Sequence, residues 1–183
     1  MRLSAIADRL AALEGREADE IHIKLRNPLL KNLLTSEAGR SRNSPAEYAP
    51  EEVLRARLLL AMADLHLTTA ELEKVNVALN QPPALGIGHP ASAKVAGGYS
   101  YPSGLLSIIR GARAGEEWLV RFRVTRTSEG QRRVAPLVCW AEGQPADTGI
   151  GAVLDLLDGE THIGTITIPA SDLIRPLLDD LEG

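Results

Sequence analysis

Cysteine is almost missing from this chain of 183 residues: Cys139 stands alone. One thiol excludes an internal disulfide framework and any zinc site built on cysteine pairs, and it fits a reducing cytoplasm. Aromatic residues make up 3% of the chain, too few for base stacking to be the main binding device. The four histidines, His22, His66, His89 and His162, lack H-x-x-H or H-E-x-x-H spacing, so no metal site is expected. No apolar run approaches the roughly 20 residues of a membrane span, which excludes an integral membrane protein. The opening Met1-Arg2-Leu3-Ser4 has no apolar h-region, so no secretory signal is expected and the expected compartment is the cytoplasm.

Catalytic patterns are equally sparse. No G-x-S-x-G occurs, and Cys139 sits in the apolar run Pro136-Leu137-Val138-Cys139-Trp140, which reads as a buried inert thiol. Gly86-Ile87-Gly88 and Gly97-Gly98 follow Pro82-Pro83, and that proline pair breaks the strand–loop–helix context of a phosphate loop. Neither an enzyme nor a bound cofactor is therefore expected.

What the chain does have is an uneven charge. The formal net charge is -4, so no global basic field draws it to nucleic acid. Locally the picture differs. Over residues 22–42, Lys24, Arg26, Lys31, Arg40 and Arg42 face Glu37 alone, with His22 beside them. From Asp155 onward, Asp155, Asp158, Glu160, Asp172, Asp179, Asp180 and Glu182 face Arg175 alone. Solvated faces account for both patterns in an ordinary protein. The basic window is distinguished from such a face by the elements around it.

Leu3, Ile6, Ala7, Leu10 and Leu13 recur at helical spacing, and Gly15 stops the helix. Residues 17–26 suit a helix through Ala18, Ile21 and Leu25, and a strand through the alternation of Ile21, Ile23 and Leu25. The early acids Glu17, Asp19 and Glu20 favour the helix. Asn27 caps and Pro28 opens a short helix with Leu29, Leu30, Leu33 and Leu34. Residues 35–47 read as a loop or short hairpin. Pro50 opens a helix whose buried face is Val53, Leu54, Leu58, Ala61, Met62 and Leu65. Thr68-x-x-Glu71 is a capping box for a helix to about Asn80, with Leu72, Val75 and Leu79 inward.

Residues 81–103 are rich in Pro, Gly, Ser and Ala and form a linker. Beyond it the pattern changes. Residues 104–112 suit a short helix. Strands are predicted over 118–126, 133–141 and 161–168, and a helix over 150–157. Ser171 is placed as the cap of a last helix carrying Leu173, Ile174, Leu177, Leu178 and Leu181. Pro176 then requires that helix to kink or to begin later. The expected fold is a mostly α N-terminal domain over 1–80, of winged helix-turn-helix type, plus a small α+β domain over 104–183.

A helix-turn-helix needs a small residue where its helices cross and a permissive residue in the turn, and Ala11 and Gly15 have that spacing. Cations and small hydroxyls on a loop beside a helix suit phosphate contacts. Over residues 1–80 the chain resembles the DNA-binding domain of the MerR family. Leu3-Ser4-Ala5-Ile6-Ala7 is similar to that family's opening helix, and Arg40 to Asn43 fall where its wing lies. Tyr48-Ala49-Pro50-Glu51-Glu52-Val53 is similar to the motif that opens its helix pair. Leu67-Thr68-Thr69-Ala70-Glu71-Leu72 is similar to its turn into the last helix. His22-Ile23-Lys24 replaces the family's Arg-Tyr-Tyr, the spacing after the first helix is longer, and Pro82-Pro83 stands where the family's long dimer helix would continue.

The resemblance implies a transcriptional regulator that binds double-stranded DNA. Candidate contacts are His22, Lys24, Arg26, Asn27 and Lys31 on the reading helix, and Arg40 and Arg42 on the wing. Residues 104–183 would form a homodimer, through the strands and the leucines of the last helix, hold a protein partner or sense a ligand. The alternative is a protein-interaction or assembly module of phage or mobile-element type that does not bind DNA.

Overall fold

The computed structural model of the chain describes residues 1–37, 46–83, 102–141 and 160–179. Among them the fold is mixed α/β, with a helical first part. Its elements are α1 (Leu3–Glu14), α2 (Ala18–Arg26), α3 (Pro28–Lys31), β1 (Ser36–Glu37), β2 (Glu47–Tyr48), α4 (Glu52–Asp64), α5 (Thr69–Asn80), α6 (Gly104–Arg113), β3 (Trp118–Arg126), β4 (Arg132–Trp140), β5 (Thr161–Pro169) and α7 (Ala170–Leu178). The chain divides into two compact units, Met1–Glu73 with Leu173–Gly183, and Lys74–Asp172. Most of the expected linker, residues 84–101, and the helix expected over 150–157 lie outside the described residues.

In the first unit α1 buries Ile6, Ala7, Leu10 and Ala11. Gly15 ends it at φ 63°, a left-handed conformation that costs a residue with a Cβ about 1–2 kcal/mol. The Gly15 and Arg16 N–H groups both donate to the Ala11 carbonyl, which satisfies a helix end that would otherwise lack partners. The 17–26 ambiguity resolves as helix: α2 buries Ile21 and Leu25, one turn apart. The Asn27 side chain accepts the Leu29 N–H (3.1 Å) and Pro28 opens α3.

Helix α4 is enclosed on nearly every side. Val53, Leu54, Ala56, Leu58, Leu60 and Met62 are fully buried, and Leu59 nearly so. The stripe expected from spacing is too narrow, and it also takes in Leu65, which is 54% exposed. Leu65 is the residue after the helix ends, so helical periodicity no longer places it. The capping box forms as expected: the Thr68 N–H donates to Glu71 Oε2 (2.8 Å), and the Glu71 N–H donates to Thr68 Oγ1 (3.4 Å).

The second unit is built on a three-stranded antiparallel sheet in the order β4-β3-β5. Trp118 pairs with Trp140, Val120 with Val138 and Ile168, and Phe122 with Pro136 and Ile166. These rows make one face, where Trp118, Val120 and Phe122 are buried. Helix α6 packs against β3. Its Gly111 lies so close to Trp118 that an added Cβ would overlap the indole.

The last helix departs from expectation. It begins at Ala170 and runs through Pro176, and Ser171 lies inside it, fully buried. The Ser171 hydroxyl oxygen accepts the Trp118 N–H at 2.8 Å, which pairs the first backbone donor of β3. Tertiary demand for an acceptor there overrides the preference of serine for a cap. Leu177 and Leu178 are buried too, so they do not supply the exposed dimer surface expected of them.

Replacing Ser171 by alanine leaves the buried Trp118 N–H without its acceptor. The expected cost is about 1–3 kcal/mol, read as a lower urea midpoint at unchanged slope. An unchanged midpoint would show that another group satisfies that N–H.

Candidate nucleic-acid interface

The candidate surface is made by α2, α3 and the β1–β2 ribbon. The α2 helix carries Asp19 and Glu20 in its first turn and Lys24 and Arg26 in its last, the order that complements a helix dipole. Its two buried residues, Ile21 and Leu25, fix which side chains point outward.

On that outer side the predicted residues separate. Arg26 and Lys31 are exposed, and neither forms an ion pair among the described residues. His22 is half-buried and Asn27 is exposed, with the Asn27 oxygen already committed as the cap of α3. Lys24 is drawn elsewhere: its Nζ donates to Asp64 Oδ1 at 2.7 Å and lies 3.4 Å from Glu20 Oε1. Arg40 and Arg42 lie outside the described residues.

Lys24 belongs to a network that closes the α1–α2 turn onto the end of α4. Arg16 reaches Glu14 at 2.9 Å, Glu20 at 2.5 Å and Asp64 at 3.0 Å, and Arg57 also pairs with Glu14. The Glu20 carboxyl is held below its ordinary range by the hydrogen bond and charge of Arg16, with Lys24 adding to both. Burial works to raise Asp64, but the hydrogen bond and charge of Lys24 and the charge of Arg16 outweigh it and lower its pKa. Lys24 is therefore a brace for the turn first and a surface cation second.

The residue missed by the sequence reading is Ile23, which is 71% exposed. It sits between His22 and Lys24, on the side of α2 away from Ile21 and Leu25. The signal was present: once residues 17–26 are helical, Ile23 cannot share the stripe of Ile21 and Leu25.

The ribbon follows α3. Ser36 pairs with Tyr48 and Glu37 with Glu47, antiparallel. It is anchored at its base. The Tyr48 N–H donates to the Met1 carbonyl at 2.8 Å, and the Met1 nitrogen donates to the Tyr48 carbonyl at 2.6 Å. Tyr48 is buried, and burial together with the nearby Glu52 charge raises its pKa. Glu52, itself buried, accepts the Thr35 N–H at 2.9 Å with one oxygen and Arg55 Nε–H at 3.1 Å with the other. A carboxylate at that position sets the distance from the ribbon to α4.

Among the described residues no group of three His, Cys, Asp or Glu side chains is placed to hold a metal ion, and no helix is long and apolar enough to cross a membrane. What the surface offers is exposed cations, two exposed branched apolar side chains, Ile23 and Leu29, and a ribbon. No protein-family model matches the chain, and neither a curated protein nor a solved structure shows significant similarity to it.

The network sets a pH dependence. Carboxylates lowered by folding contribute stability that is complete above their unfolded pKa and is lost as pH falls through the folded one. Asp64→Asn should thus cost about 0.5–1 kcal/mol near neutrality, the scale of partly exposed pairs. The gap from the unaltered chain should close as pH drops below the carboxylate range. Urea midpoints of both proteins across that range check it, and a gap independent of pH would assign the loss to packing instead.

Proposed function

We propose that this chain is a DNA-binding transcriptional regulator whose first unit reads duplex DNA. The observation that carries the reading is an ordered combination. Two helices, α1 and α2, join through a tight left-handed turn at Gly15, and an antiparallel ribbon follows within the next 22 residues after α2, at Glu47–Tyr48. That is the order of a helix-turn-helix followed by a wing. The expected MerR-like resemblance supports the same order, and so does the exposure of Arg26 and Lys31 on the reading side.

In this reading α2 enters the major groove with Ile23 and Arg26 foremost. Lys31 meets a phosphate, and Arg40 and Arg42, which lie between Glu37 and Glu47 in the sequence, meet phosphates across the groove. His22 and Asn27 flank the helix, and Lys24 keeps α2 braced against α4. The regulator works as a homodimer on paired half-sites, with residues 104–183 joining the copies.

A specific observation favours a second reading. Ile23 at 71% and Leu29 at 46% exposure put two apolar side chains on the same α2–α3 segment, which also suits contact with another protein in an assembly.

Titration of the full chain against a random duplex pool at several salt concentrations separates the two. Binding should weaken steeply with salt. Arg26→Ala should cost about 1–3 kcal/mol and relax sequence preference, Lys31→Ala should lower the salt slope by about 1, and the pair Arg40→Ala with Arg42→Ala should lower it by about 2. Lys24→Ala should lower the urea midpoint more than it lowers DNA affinity. Absence of binding at low salt would overturn the DNA reading in favour of protein contact.

A further inference from the structure

We infer that the outer edge of β5 is a self-pairing surface, on which a second copy of this chain adds its own β5 antiparallel to form one continuous six-stranded sheet. This gives the homodimer of the proposed regulator its surface, yet it stands on the sheet alone and its test needs no DNA.

The two edges of the sheet differ in how they are protected. Strand β4 carries Pro136 at its middle and Arg132 and Arg133 at its start, both of which discourage pairing with a further strand. Strand β5 reads Thr-His-Ile-Gly-Thr-Ile-Thr-Ile-Pro. It has no Lys, Arg, Asp or Glu over nine residues. Its regular part, from Gly164 to Ile168, has high β propensity, and the one irregularity lies beside it, where Ile163 is displaced between Gly164 and His162. Among the described residues no strand pairs with this outer edge.

The apolar rows stop at the same edge. Ile166 lies opposite Phe122, on the face that buries Val120 and Phe122. Phe122 is 1% exposed, whereas Ile166 is 45% exposed.

The occupant follows from the chemistry of the strand. An uncharged edge gives a charged peptide no complementary partner, but it lets an identical strand approach without repulsion. A two-fold axis through Ile166 keeps the pairing inside the regular part of β5. It sets Ile166 beside its symmetry mate on the apolar face. On the other face it sets Thr165 of each copy opposite Thr167 of the other, a pairing that antiparallel sheets favour. A junction this short buries less than a standard interface, so dissociation in the micromolar range is expected.

The test uses charge at the two threonines, both of which are exposed. Thr165 lies beside Arg123 and Thr167 beside Arg121 in the same sheet, so acids there are tolerated by the single chain. In the double variant T165E with T167E, each junction brings two pairs of like charges together. In T165E with T167K, the same positions bring opposite charges together. Sedimentation equilibrium of the full chain should show a reversible dimer. The double-acid variant should weaken it by about tenfold or more, and the opposite-charge variant should restore it to near the original constant. Matching near-ultraviolet circular dichroism would show that all three remain folded. A monomer at every concentration, or a double-acid variant that dimerises as well as the original, would overturn the proposal. So would protection from exchange, in the monomer, of those β5 amides that point away from β3, which would place a segment of the same chain on the edge. A chain that dimerises but leaves DNA unbound would defeat the regulator and keep the edge. A monomer that binds DNA would do the reverse.

Discussion

The burial of α4 is the constraint on which the first unit depends. A helix enclosed on nearly all sides cannot send its polar residues to water, and α4 carries Glu52 and Arg55 within that enclosure. Each is tolerable only with a partner, because breaking one member of a buried pair costs about 3–5 kcal/mol. Glu52 meets the requirement twice, through Arg55 and through the Thr35 backbone. The second bond has a structural consequence, since it ties the strand-forming segment to the helix start. Tyr48, buried beside the same carboxylate, holds the other strand and the Met1 backbone. The ribbon's place is thus a by-product of keeping one buried acid satisfied.

Charge around the α1–α2 turn acts differently. Arg16, Lys24, Glu14, Glu20 and Asp64 compensate one another there. Partly exposed pairs contribute little each, but a network shared by three elements fixes the angle of α2 more firmly than any one pair. The same network removes Lys24 from the cations open to a ligand and leaves Arg26 and Lys31. A count of basic residues in a window therefore overstates what the surface presents, whereas the partner of each cation states it.

In the second unit the roles are set by position in the sheet. The central strand β3 alternates buried and half-buried residues from Trp118 to Arg123, the pattern of a strand with one covered face. The edge strands share its register but not its burial: Val120 is covered while Ile166, in a neighbouring row, is not. Thr125 and Arg133 meet on Glu160, at 2.6 Å each, which joins all three strands at one end of the sheet.

Local chemistry was legible in the sequence wherever it sufficed. The capping box at Thr68 and Glu71, the Asn27-Pro28 restart, the stop at Gly15 and the three strand segments all follow from interactions spanning a few residues, and such interactions are written in spacing. The order of helices, ribbon and sheet follows from them. Partners separated by tens of residues are not written that way. Nothing near Lys24 announces Asp64, nothing near Ser171 announces the Trp118 N–H, and no periodicity says that α4 is enclosed on nearly all sides rather than on one stripe. Those outcomes belong to the tertiary structure, because a buried donor, acceptor or charge takes whichever complementary group the packing brings within reach. The sequence by itself determined the elements and the faces they prefer. Only the packed chain decided which charges were consumed in holding it together and which sheet edge no described strand covers.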